Sequence, residues 1–337
     1  MQSQRFVLAS RPQGIPREAD FRREVRELPA LQEGQILVAN EYISVDPGMR
    51  ARLNDEATYA APLQLGDTIE SATVGRVIAS RHPKFSTGDW VAAAFGWSEH
   101  GLSDGGGVRV VAERRVPPSA QIGVLGIPGL TAYFGILDIA KPKEGEIVLV
   151  SSAAGAVGSA AGQIAATFGA RVIGIAGGAE KCAWLREIGF AVVIDRHAEP
   201  DIGAAVARTC PNGIDIVFDN VGNSFLSGML PLMRRNGRIV VSGQVADYNT
   251  PHAARPGLRN TSHIITSRLT IRGLVAFDYF REFPKAWSDL VQWIVDGKLK
   301  YREDIDKGFE KLPAAFIGLF SGDNFGRKLV QIEHKVG

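Results

Sequence analysis

The stretch EIVLVSSAAGAVGSAAGQIAATFGAR, residues 146–171, carries no charge between its two end residues. An apolar run, Ile147-Val148-Leu149-Val150, leads into small residues from Ser151 to Gly158, and a small-residue helical pattern continues towards Phe168. A strand, a glycine turn and a helix N-terminus in that order make a place to hold a pyrophosphate. The first N–H groups of a helix lack intrahelical acceptors, and the helix dipole favours negative charge beside them. Inside the turn, Ala153-x-Gly155-x-x-Gly158 is a dinucleotide fingerprint with alanine in place of its first glycine. Gly155 lets the backbone approach phosphate oxygens, and Gly158 lets the helix pack tightly on the sheet. The degraded fingerprint gains its weight from its place after an apolar strand within a run of strand–helix units.

The same stretch is long enough to cross a bilayer, and Gly158-x-x-x-Gly162 resembles a helix-dimer motif. Against that reading, Ser151, Ser152, Gly155 and Gly158 interrupt it where a turn falls, and Gln163 and Thr167 dilute it.

The surrounding texture is of two kinds. Up to about residue 120 the chain reads as short strands, at 35–43, 73–79 and 90–93, separated by Gly, Pro and Asp, which predicts a compact barrel or sandwich. From about residue 122 a helix opens at Gly126-Ile127-Pro128, and strands then alternate with helices. The strand-like runs lie at 147–150, 171–175, 191–194, 214–218, 238–241 and 269–271, with helices at 179–188, 202–209 and 225–233. Continuous apolar strands separated by helices predict a doubly wound parallel sheet of α/β class. A further helix at 284–296 is followed by Gly297 as a stop, and the strand-like run 328–332 is expected to return to the first domain. The predicted domains are 1–121 with 300–337, and 122–299.

At 337 residues two cores are expected. A net charge of +2 without a Lys/Arg tract argues against nucleic acid as a partner. Two cysteines, Cys182 and Cys210, and an N-terminus without an apolar core predict a reducing, cytoplasmic setting and no membrane partner.

An NAD site carries an acidic residue at the end of the second strand. Here that strand ends Ile175-Ala176-Gly177-Gly178, without a carboxylate, and Lys181 and Arg196 follow where a 2′-phosphate would need them. NADPH is therefore predicted over NADH. Lys181 also fits a solvated helix face, and Arg196 a surface residue. Two cysteines cannot make a four-cysteine zinc site, and the six histidines show no ligand spacing, so no metal is expected and hydrogen-bond donors must assist the chemistry.

Ordered motifs along most of the chain carry a resemblance. They include Ser44-Val45-Asp46-Pro47-x-Met49-Arg50, Gly129-Leu130-Thr131-Ala132-Tyr133-Phe134-Gly135, the turn 153–159, Glu180-Lys181, Phe218-Asp219-Asn220-Val221-Gly222, Tyr248-Asn249 and Gly322-Asp323-Asn324. The chain resembles the zinc-independent medium-chain dehydrogenase/reductases, in the branch of prostaglandin reductases, leukotriene dehydrogenases and curcumin-reductase-like enzymes. The resemblance implies a GroES-like barrel beside a Rossmann domain, a homodimer, and NADPH-dependent reduction of the double bond of enones and enals. It implies cofactor contacts at Gly155, Ala156, Val157, Gly158, Lys181, Asn220, Ser242, Gly243, Gln244, Val245, Gly273, Leu274, Val275 and Asn324, with Arg196 standing where relatives carry a tyrosine. Tyr248 is implied near the substrate carbonyl, either as proton donor or as a loop tyrosine packed over the cofactor, with a ribose hydroxyl or water as the other donors. Gly48, where relatives carry an aromatic, Arg50 and Tyr59 are the candidate substrate residues; Arg50 reads more readily as a solvated or structural arginine and Tyr59 as barrel packing. The rival functions are a zinc-free quinone reductase and a non-catalytic NADPH-binding protein.

Overall fold

The computed structural model describes residues 1–334 apart from 57 and 59. The chain divides into two compact units: residues 1–123, 303–324 and from 328 onward in one, and 124–302 with 325–327 in the other.

The first unit is mostly β. The strands Glu303–Lys307, Arg327–Gln331, Ile36–Ser44, Thr73–Ser80, Trp90–Ala93 and Arg109–Val110 follow one another across a sheet, with His100–Ser103 pairing to Ile36–Ser44. The C-terminal strand runs antiparallel to Ile36–Ser44, with Leu329 opposite Ser44 and Gln331 opposite Tyr42. A separate antiparallel hairpin joins Gln2–Leu8 to Phe21–Glu27. An aromatic core fills the unit: Trp97 is fully buried and packs edge-on to Phe6 and Phe316. Such offset rings add to the area they bury.

The second unit holds six parallel strands in the spatial order Val192–Asp195, Arg171–Ala176, Ile147–Val150, Ile214–Asp219, Met233–Val241, Thr270–Gly273. All four residues of Ile147–Val150 are buried, as a sheet covered on both faces requires. The order reverses between Ile147–Val150 and Ile214–Asp219. The crevice beyond the carboxyl ends of such a pair is where open α/β sheets bind ligands. This is the doubly wound architecture expected from the alternation.

Local packing explains the charge-free stretch. In the helix Ala156–Thr167, Gly162 lies under the ring of Phe190, and the same ring covers Gly174 on the next strand. A Cβ on Gly158 would stand 2.6 Å from the Ser152 carbonyl oxygen. The small residues are thus there for close helix–sheet contact, and among the described residues no helix is long and apolar enough to cross a membrane.

Some boundaries differ from expectation. The helix expected at 225–233 is Asn223–Met229, and Met233 already belongs to a strand, opposite Ile214. Between that pair and the next, Ile216 opposite Arg238, the register shifts. Polar Arg234-Arg235-Asn236-Gly237 forms this irregular part, with Asn236 left-handed and Arg234 paired to Asp215 at 2.9 Å. The polar run hid the strand. The charged strand Glu303–Lys307 and the N-terminal hairpin went unforeseen for the same reason: their sequences lack a clean apolar alternation.

Candidate active site

The glycine turn links three strands. Ser151 N–H donates to the Phe218 carbonyl (3.1 Å) and Ala153 N–H to that of Ile175 (2.9 Å). Gly155 is extended, and its N–H donates to the Ser152 carbonyl at 3.0 Å. The helix begins at Ala156, so Ala156, Val157 and Gly158 point N–H groups out of its first turn. A diphosphate fits this cradle: small residues leave the approach open and fixed donors face it.

Beyond the second strand, the place of an NAD-type carboxylate is built differently. A Cβ on Gly177 would stand 2.7 Å from Nε2 of His197 and 2.8 Å from Nε of Arg196. Those two side chains lie over the strand end. Asp195 shapes them: its Oδ1 accepts from the N–H of Gly178 and of His197, each at 2.9 Å. The two backbone bonds, Gly178 first, hold its carboxyl below its ordinary range. The Asp195 carboxylate is thereby engaged with the backbone. Lys181 stands in the first turn of the helix Ala179–Glu187, and its neighbour Glu180 pairs with Arg302 at 3.2 Å. Arg196 and Lys181 are cations near this strand end, and a 2′-phosphate would need such partners. Sequence reading named Arg196 but missed His197 and Asp195; the signal was the Asp195-Arg196-His197 triplet just past the third strand.

At the switch point the side chains knit together. Asn220 Nδ2 donates to the Ser151 carbonyl (2.8 Å), and Ser242 Oγ donates to Asn220 Oδ1 (2.6 Å). Val245 N–H donates to the Asn220 carbonyl (3.2 Å), and Gln244 N–H to the Tyr248 hydroxyl (3.3 Å). Asn220, Ser242, Gly243, Gln244, Val245 and Tyr248 thus form one cluster. Behind it Asp219, fully buried, accepts from Ser151 Oγ (2.9 Å) and from the N–H groups of Val221 and Gly222. Burial pushes its carboxyl up to about 6. The motif FDNVG contained this aspartate; only its depth was hidden.

Gly273 ends the edge strand, and Leu274 N–H donates to the Val241 carbonyl at 3.1 Å. The segment through Val275 is pinned by Tyr279, whose hydroxyl donates to Asp138 at 2.6 Å and whose ring stacks on Phe134. Burial, then Asp138, push that phenol up to about 12.

In the first unit Gly48 caps the short helix Met49–Arg52. Arg50, a candidate for a substrate tail, is corrected: it is 3% exposed and donates to the carbonyls of Pro12 and Gly14, each at 3.0 Å. A buried guanidinium needs such acceptors, and these bind it into the fold. Asn324 also belongs to this unit, after the helix Leu312–Gly318. Tyr59 lies outside the described residues. Among the described residues no group of three or more His, Cys, Asp and Glu side chains could hold a metal ion.

A glycine turn at a helix N-terminus, basic side chains over a strand end and a hydrogen-bonded switch point are the parts of a dinucleotide-dependent oxidoreductase site. Residues 4–111 match the N-terminal domain of oxidoreductase, and 156–295 match the domain described as zinc-binding dehydrogenase. The chain is 40% identical over 336 residues to the NADPH-dependent curcumin reductase of Escherichia coli, covering 98% of this chain and 97% of that protein. It is 39% identical over 335 residues to prostaglandin reductase 1 of Rattus norvegicus, covering 98% and 99%. Crystal structures of CurA from Vibrio vulnificus, one in complex with NADPH, share 39% identity and a TM-score of 0.92, over 98% of this chain and 99% of those chains. The chain belongs to the medium-chain dehydrogenase/reductase family, with the curcumin and prostaglandin reductases as relatives.

Proposed function

We propose that the chain reduces the carbon–carbon double bond of α,β-unsaturated ketones and aldehydes. NADPH, when bound, supplies the hydride for the β-carbon. The residues proposed to hold it are Gly155, Ala156, Val157 and Gly158 at the diphosphate and Lys181 with Arg196 at the 2′-phosphate. At the other end they are Asn220, the segments 242–245 and 273–275, and Asn324.

The observation carrying this reading is the hydroxyl of Tyr248, in a loop knitted to Asn220 at the switch point. Reduction at the β-carbon leaves negative charge on the carbonyl oxygen. Tyr248 is proposed to donate there, since a phenol with a reference pKa of about 10 keeps its proton at neutral pH. One donor aimed at a developing oxyanion is worth about 2.7–4 kcal/mol. Gly48 is proposed to widen the substrate space. The relatives support the class: they are named for curcumin, for prostaglandins and, at 36% identity over 339 residues, for 2-alkenals, which are themselves enals. Likeness to the family supports a homodimer, and the two-cysteine usage supports a cytosolic setting.

NADPH oxidation measured over a panel of enals, enones and quinones, with product analysis, tests the reading. A saturated ketone or aldehyde is expected. Turnover of quinones alone would make the chain a quinone reductase, and tight NADPH binding with no turnover would make it a binding protein.

A further inference from the structure

Asp219 is the most buried acid at the switch point, and no hydrogen bond to a cation accompanies it. A carboxylate in such a place is costly unless donors compensate it. Its two functional groups meet three separate segments. The carboxylate accepts from Ser151 Oγ at 2.9 Å, from Val221 N–H at 2.9 Å and from Gly222 N–H at 3.2 Å. Its backbone carbonyl accepts from Ser242 N–H at 2.9 Å and Gly243 N–H at 3.3 Å. Ser151 Oγ in turn accepts from the N–H of Asn220 at 2.8 Å, and Ser242 Oγ closes the circuit on Asn220 Oδ1. The turn 220–222 and the attachment of the loop 242–248 thus both pass through one residue.

We propose that Asp219 is a positioning residue: ionised, it accepts the three hydrogen bonds that fix the turn 220–222, on which Asn220 and the loop bearing Tyr248 rest, and on protonation those bonds weaken. The proposal rests on the roles given above to Asn220 and Tyr248. Charge-assisted hydrogen bonds are roughly twice as strong as neutral ones, so protonation weakens all three bonds to the carboxylate. It also adds a donor where N–H groups already point. The titratable groups on the loop packed against it are Asp247, which raises its proton affinity, and Tyr248; the end of the first strand contributes the neutral Ser151. Asp247, also buried, accepts from Asn223 N–H at 3.2 Å, so it fastens the other end of the same junction.

The test compares wild type, Asp219→Asn and Ser151→Ala. It reads kcat for an enone at saturating NADPH between pH 5 and 8, because the cofactor's own 2′-phosphate titrates near 6 and must stay bound. It also reads hydrogen–deuterium exchange of residues 242–248 in the cofactor-free protein, corrected for intrinsic rates. Wild type should show an acid limb in kcat near pH 6 and faster loop exchange below it. Asp219→Asn should lower kcat about tenfold, lack the limb and exchange fast throughout. Ser151→Ala keeps the charge but removes a donor to the ionised form, so its limb should move to higher pH. An unshifted limb in Ser151→Ala, or wild-type exchange in Asp219→Asn, overturns the proposal. If Asp219→Asn does not fold, the Ser151→Ala shift decides alone. Wild type inactive on every enone, with the exchange results as expected, defeats the functional reading and leaves the positioning role standing. Normal turnover with no effect of either variant does the reverse.

Discussion

The N–H of Gly326 donates to the carbonyl of Ala154 at 3.1 Å, and Gly326 bridges in parallel to Gly155. A residue from near the end of the chain thereby completes the glycine turn. The approach is close: Gly326 is left-handed at φ +80°, and a Cβ there would run into the carbonyl of Arg302. Its neighbour Phe325 is held on both sides, by the Arg302 guanidinium 3.8 Å from its ring centroid and by Trp184 edge-on.

Gly326→Ala should therefore strain the backbone and loosen the turn. A forced left-handed residue costs about 1–3 kcal/mol. The melting temperature should fall by roughly 2–12 °C. Calorimetry of the purified variant, with NADPH titration beside it, checks this; an unchanged melting temperature would refute it.

The basic side chains near the strand end predict cofactor choice. Lys181→Ala and Arg196→Ala should each remove a charged hydrogen bond worth about 1.5–3 kcal/mol. NADPH should then bind about tenfold to a hundredfold more weakly. NADH affinity should not change, because it lacks the phosphate. Titration of both cofactors against both variants is the measurement, and an equal loss for NADH would assign these residues to the fold instead.

Tyr248→Phe removes one hydroxyl and keeps the ring. With the hydroxyl as donor to the developing oxyanion, kcat should drop about a hundredfold while NADPH affinity holds. Full turnover in this variant would pass the donor role to a ribose hydroxyl or water.

Asp219 also predicts a pH dependence of stability. Burial raises its folded-state carboxyl from the ordinary 3.8 to about 6. Between those values the folded chain binds more protons than the unfolded one, so this group's contribution to stability falls as pH rises through the window. Two units correspond to at most about 3 kcal/mol. Urea unfolding at pH 4.5, 5.5 and 7 should show wild type losing stability relative to Asp219→Asn by up to that amount. Parallel curves for the two proteins would contradict it.

The legible parts were local ones. Ile147–Val150 followed by Ser151 to Gly158 states its strand, turn and helix through apolar run, small residues and spacing, and the structure has all three. The second strand's own end lacks a carboxylate, as its sequence says, but Asp195 of the third strand brings one to the Gly178 N–H. For Arg50 a structural role was readable beside a tail-binding one, but not its acceptors: the carbonyls of Pro12 and Gly14 are far from it in the chain. His197 looked like any loop histidine until the third strand was laid beside the second, which brings its ring over Gly177.

Neighbouring residues alone settle periodicity, turn chemistry and the charge around Lys181, because these act within a few residues of chain. Burial, close approach and long-range hydrogen bonds do not. Asp219 has an ordinary carboxyl in the sequence, and only the strands on either side, with the loop above, exclude water from it and turn its two ends into a hub. Gly326 meets Ala154 only because folding offsets the chain entropy between them, and no local pattern records that.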